Sequence, residues 1–182
     1  MNDCILDKSI IYIDSANAIW NSTSVQNFYI DILEPIKNAL YISIINATIL
    51  IIPTSQLNGN VIKDGDQVYI NLNEYDRIST NINNSMVRYF EKIPLNLTDR
   101  YDLIYLQNAN GLPGEFSFST NYVTSCNIND SHTYVLNPVE PNLKRFNIQI
   151  FDKNNKIINK SDIIRFSMTI CVYYNRKKLT ME

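Results

Sequence analysis

At 182 residues, with a formal net charge of −2 and 45% apolar residues, the chain is sized for one domain. Folding would bury about 70% of its unfolded surface, and mixed charges at this apolar content exclude a disordered polyelectrolyte. The most apolar run, residues 39–52, is broken by Ser43, Asn46 and Thr48 and is too short for a membrane span.

The apolar residues are mainly Ile and Tyr, types that suit a pleated, half-buried surface better than a helix. With 4 Gly in the chain and Asn abundant, Asn is expected to fill the turn positions that need positive φ. Cys4, Cys126 and Cys171 lie far apart without CxxC spacing, which reads as reduced thiols made in a cytoplasm rather than a disulfide framework. The start, MNDCILDKS, lacks the basic-then-apolar form of a signal peptide.

Taken in chain order, a first strand is predicted over residues 10–14. A second follows in QNFYIDIL, where Phe28, Ile30 and Ile32 alternate. Residues 39–52 would extend roughly 40 Å or more as one strand, so a bend or bulge is expected, with Asn46 as its site. Asn58-Gly59 and Asp64-Gly65-Asp66 mark turns before a strand holding Val68, Ile70 and Leu72. A short helical turn is expected over residues 73–79, then a strand over 86–93 beyond an Asn-rich loop. Further runs lie at 101–107, at Phe116 and Phe118, at 122–126 and at 133–136. The stretch VLNPVEPNLKRFNIQIFDKNNKIIN has Pro138 and Pro141 leading an alternation of Phe146, Ile148 and Ile150, then a hairpin tip at residues 152–155. The two prolines predict a non-pairing approach to that strand. A last strand covers residues 163–174. Roughly eight to eleven short strands at regular spacing predict an all-β sandwich or barrel.

Candidate chemistry is sparse. The single histidine, His132, lies beside Asp130 and Ser131, but neighbours in an extended segment point to opposite faces and form no triad, so a surface histidine beside a turn is expected. Glu74 with Asp76, and Asp31 with Glu34, are the carboxylate pairs available to a sandwich hydrolase, and all four read equally well as solvent-face residues. Asp152-x-Asn154 begins like a calcium loop, but Lys156 takes the next ligand position and the closing Glu is missing. No phosphate-binding Gly-rich loop, GxSxG elbow or HExxH is present. The expectation is therefore no enzyme, no catalytic residue, no metal and no cofactor. The basic cluster Arg176-Lys177-Lys178 reads as a solvated tail, and without an RNA-binding signature direct nucleic-acid recognition is not expected.

The order of motifs carries a resemblance. It begins with IIYIDSANAIWNSTSVQNFYIDILEPI, which holds Asp14-Ser15 and Glu34-Pro35-Ile36, and continues with the long apolar strand KNALYISIINATILIIP. YINLNEYDRI, VRYFEKIPL, VEPNLKRFNIQIFDKNNKII and IIRFSMTICVYY then follow. This succession resembles the single jelly-roll penton and minor capsid proteins of nucleocytoplasmic large DNA viruses and virophages. The most specific segment holds Pro141, Leu143, Phe146, Ile148, Ile150 and Asp152. Asn154-Asn155 stand where that family's hairpin commonly carries Gly. The resemblance implies a single jelly-roll β-sandwich of two four-stranded antiparallel sheets, built as one compact domain over residues 1–182. It also implies a virion location after assembly in the host cytoplasm, a homopentamer closed by heterologous contacts, and neighbouring major capsid protein capsomers as partners. Membrane contact is left open. The alternative is a carbohydrate- or receptor-binding β-sandwich of a fibre or attachment protein, for which Trp20, Tyr75 and Tyr122 are the aromatic candidates.

Overall fold

A computed structural model describes residues 4–20, 28–51, 65–97, 118–119, 122–124, 127–158 and 163–177. These form β1 (Cys4–Asp14), a 3-10 turn (Ser15–Asn17), β2 (Ile19–Trp20), β3 (Phe28–Ile51), β4 (Gln67–Leu72), β5 (Ile78–Ile82) and β6 (Ser85–Tyr89). They continue as β7 (Glu91–Pro94), β8 (Asn96–Leu97), β9 (Phe118–Ser119), β10 (Tyr122–Val123), β11 (Tyr134–Phe151) and β12 (Ile163–Lys177). The fold is all-β, and every pairing among the described residues is antiparallel. Predicted features at residues 52–64, 98–117, 125–126 and 178–182 lie outside the described residues.

Hydrogen bonds join ten strands in the order β1-β12-β3-β11-β4-β7, with β2, β9 and β10 also on β3 and β8 on β9; β5 and β6 form a separate hairpin. The large sheet curls over itself. A fully extended chain from Phe28 to Ile49 would span about 70 Å. Yet Phe28 meets Phe166, the residue paired with Ile49, ring edge to ring face at 5.3 Å between centroids. The two ends of β3 therefore face one another across a shared core. That core includes Ile13, Ile42, Ile44, Ile70, Leu72, Phe146, Ile148 and Ile170. Phe146, Ile148 and Ile150 all point inward, as their alternation predicts.

The bends have identifiable causes. The predicted strands at residues 28–32 and 39–52 are one strand in the structure. Pairing of β3 with β11 jumps from Ile36↔Leu143 to Asp31↔Arg145, so residues 32–35 bulge outward and Leu33 stands in solvent. Asn38 follows at φ 55°, a left-handed residue that kinks β3 without ending it. A second bulge lies at Ile45, between the pairs Asn46↔Thr169 and Ile44↔Ile170, one residue from the predicted break. On β11 the pairs Val135↔Tyr41 and Glu140↔Ala39 leave residues 136–139 looped out. Pro35 and Pro138 both sit in these bulges, where no ladder N–H is required of them. The predicted non-pairing approach is thus confined to a bulge at Pro138, while Pro141 lies in the paired part of β11 between Glu140↔Ala39 and Asn142↔Lys37.

Among the described residues, five of the six non-glycine residues with positive φ are Asn. Asn83 (φ 50°) and Asn84 (φ 63°) make the two-residue loop between Ile82 and Ser85, the conformation that favours Asn-Gly in a tight hairpin. Asn73 and Glu74 are also left-handed, so a tight turn replaces the predicted helical one and β5 starts at Ile78. The hairpin tip at residues 152–155 is present: Asp152 Oδ1 accepts from the backbone N–H of Asn154 and of Lys156, at 2.8 Å each. The expectation of three reduced thiols needs correction, because Cys171, fully buried on β12, is disulfide-bonded. Dispersed spacing carries no information about which cysteines a curled sheet brings together.

Candidate functional site

Strand β1 stands at an end of the sheet, with β12 as its neighbour among the described residues. Its odd positions Ile11 and Ile13 turn to the core, so Leu6, Lys8, Ile10 and Tyr12 project from the opposite face. Tyr12 is 80% exposed, and Leu6 and Ile10 are also exposed. The register extends this face inward across the sheet. Lys8 pairs with Tyr173, Tyr173 with Tyr41, and Tyr41 with Val135, which is itself exposed. Tyr41 and Tyr173 pack edge to face. Together these residues make a largely apolar strip, interrupted by Lys8 and half-buried at Tyr173 and Tyr41, that crosses β1, β12, β3 and β11 and ends at a strand edge. Exposed apolar surface of this kind marks interaction sites more often than a monomer's ordinary surface.

Both ends of β1 are pinned. At the C-terminal end, Asp14 accepts from the Ala16 N–H at 2.9 Å, and Ser15 Oγ accepts from the Phe166 N–H at 3.1 Å. The Asp14-Ser15 step therefore ties β1 to β12. At the other end Asp7 accepts from the Tyr174 hydroxyl at 3.4 Å and lies 3.7 Å from Arg176. Arg176 thus belongs to β12 and to this pair. The side chain of Lys177, and Lys178 altogether, lie outside the described residues.

A second constellation lies on the core side. Glu91, on β7, has its side chain 3% exposed, and Arg77 Nη2 lies 2.5 Å from Glu91 Oε1. The same guanidinium donates to the carbonyls of Phe90 at 3.0 Å and Ser131 at 2.8 Å. His132 Nδ1 is 3.4 Å from Glu91 Oε2 and 3.1 Å from the Tyr122 hydroxyl. Burial, and after it the Glu91 carboxylate, push the Tyr122 hydroxyl pKa well up, so it stays protonated. His132 does lie beside a turn, as the sequence predicts, with 37% of its side chain exposed. Its tie to a buried carboxylate was missed, because Glu91 in VRYFEKIPL reads as an ordinary alternating position. Ser131 Oγ turns to Asp130 at 3.4 Å rather than to His132. Arg77, Glu91, His132 and Tyr122 together fasten the 127–133 turn region and β10 to β7.

The other sequence candidates are dispersed. Asp31 is held by Arg145 in a two-point ion pair, at 2.7 and 3.2 Å, while Glu34, Glu74 and Asp76 are exposed. No group of three or more His, Cys, Asp or Glu side chains able to hold a metal occurs among the described residues. Tyr75 stacks on Tyr134 and packs against the core, as does Tyr122, so both aromatic candidates are used internally. The side chain of Trp20 lies outside the described residues. The chain matches no protein-family model and no curated protein.

Proposed function

We propose that the chain is a structural virion protein: a penton, or another minor capsid protein, of an icosahedral large DNA virus or virophage. In this reading the curled sandwich is a single jelly roll, and the subunit works by association rather than by catalysis. The motif order of the sequence supports it. The observation that carries it is the strip from Leu6, Ile10 and Tyr12 to Tyr173, Tyr41 and Val135, which ends at the edge strand β1. A heterologous contact between that strip and a different face of the next copy closes a ring if the rotation fits, giving a homopentamer. Major capsid protein capsomers would then surround it, with no role for nucleic acid.

Two measurements test the proposal together. Sedimentation of purified protein over a concentration series should show a pentamer that Tyr12→Asp dissolves. Labelled antibody should find the chain at the fivefold vertices of virus particles. A chain that stays monomeric and is missing from particles ends this reading.

A further inference from the structure

Away from β1, where the N-terminal part of β3 runs beside β11 and β4, the outer face of the sheet is unlike the strip. The inward residues there are Phe28, Phe146, Ile148, Ile150 and Leu72, all buried. The alternate positions project outward: Tyr29 paired with Asn147, and Asn71 paired with Gln149. The left-handed turn at Asn73 and Glu74 rises beside them. Asn73 is fixed as a wall, accepting from the Asn147 N–H at 2.6 Å and donating from Nδ2 to the Arg145 carbonyl at 2.9 Å. These residues line a cleft of about 430 Å³, within the range of small-molecule sites.

The lining is chemically narrow. Asn71, Asn73, Asn147 and Gln149 are neutral amides, a residue type that both donates and accepts, with Asn73 already engaged at both ends, and Glu74 adds a carboxylate acceptor. Tyr29, half-buried, supplies the aromatic ring. Its orientation is held by Arg145, whose guanidinium lies 3.8 Å from the ring centre and is engaged by Asp31. Among the described residues the lining carries no cation, which disfavours phosphates, nucleotides and acidic sugars. It also lacks the aliphatic area a lipid would need. One amide of the row is under-bonded as it stands: Asn71 donates weakly to Gln149 at 3.4 Å, and its Oδ1 is enclosed without a hydrogen-bond partner. Such a group calls for a ligand or a rearranged amide. Neighbouring hydroxyls of a pyranose donate and accept in pairs that match amide edges, and the ring's C–H face packs on an aromatic side chain.

We infer that this cleft is a binding site for a neutral carbohydrate, recognised through Asn147, Gln149 and Asn71 with Tyr29 as the apolar wall. The inference does not rest on the capsid proposal, and either can fail alone. The test is a glycan array probed with the full chain, followed by calorimetry against maltotriose, mannotriose, chitotriose, lactose and 3′-sialyllactose. At least one neutral glycan should bind with a Kd between about 10 μM and a few mM. Asn147→Ala and Gln149→Ala should each weaken that binding about tenfold, the loss expected for one hydrogen bond. Thermal melting checks that both variants remain folded. Val123→Ser, on the β10 side of the sheet, should bind as the parent does. Absence of binding across the neutral glycans, a preference for the sialylated one, or affinity unchanged in both amide variants would each overturn the inference.

Discussion

Arg77→Met is the sharpest test of how the chain holds the 127–133 turn region and β10 against β7. The substitution keeps a long side chain but removes the charge that lies 2.5 Å from Glu91, whose side chain is almost fully enclosed. Breaking a buried pair from one side leaves an uncompensated charge, at a cost of about 3–5 kcal/mol. The bonds to the Phe90 and Ser131 carbonyls go as well, so the upper part of that range is expected. For a domain of this size, about 2–4 °C of Tm is lost per kcal/mol, which gives a fall of roughly 8–20 °C. Urea unfolding followed by circular dichroism measures the loss directly. The double variant Arg77→Met/Glu91→Leu removes both charges and should recover most of it, because the penalty lies in the orphaned carboxylate rather than in the lost attraction. A single variant within about 1 kcal/mol of the parent, or a double variant no better than the single, would refute the reasoning.

Three further outcomes are expected. Burial, then the neighbouring Tyr69 and Asp152, push the Tyr89 hydroxyl pKa up to about 12. The unfolded chain therefore releases this proton first, so stability should fall as pH rises from about 10 toward 12 and level off beyond, with phenolate absorbance titrating late. At the β5–β6 loop, Asn84→Gly should be neutral or slightly stabilising, whereas Asn84→Val should cost about 1–2 kcal/mol in urea unfolding, because φ 63° crowds a branched Cβ. Native, non-reduced protein should show a single free thiol per chain in a thiol-reagent titration, since two of the cysteines are spent on the Cys171 disulfide.

Much of the fold is legible because it depends on period two. The alternation at Phe146, Ile148 and Ile150 fixes the buried face of β11 without reference to any other strand, and the hairpin tip at Asp152 follows from local Asn chemistry. The joining of residues 28–32 and 39–52 into one strand was not legible. Pro35 reads as a stop, and only the partner register shows that its segment bulges while hydrogen bonding resumes on either side. The interaction surfaces were hidden for a related reason. Leu6, Ile10 and Tyr12 look like half of an ordinary buried alternation, and which half faces solvent is decided by β12. Likewise Asn71, Asn147 and Gln149 are far apart in sequence and ordinary as solvent-face residues, and they become a row only through the pairing of β11 with β3 and β4. The Cys171 disulfide and the Glu91 network failed the same way, since both are contacts between segments with no sequence proximity.

The position of β12 has a consequence for how the chain is made. It lies between β1 and β3, bonded to one along Cys4–Asp14 and to the other from Ala39 to Ile51. Among the described residues, two strands from the N-terminal part of the chain, β1 and β3, are therefore joined in the sheet by the strand synthesised last of the twelve. Until β12 emerges, β1 has no partner among the described strands and the C-terminal half of β3 lacks its β12 neighbour, leaving Ile44, Ile49 and Ile13 without the strand beside them. Pairing over such sequence distances is slow and exposes apolar edges while it waits. Until β12 arrives, β1 and one side of β3 stay open, and β12 acts as the closing wedge between them.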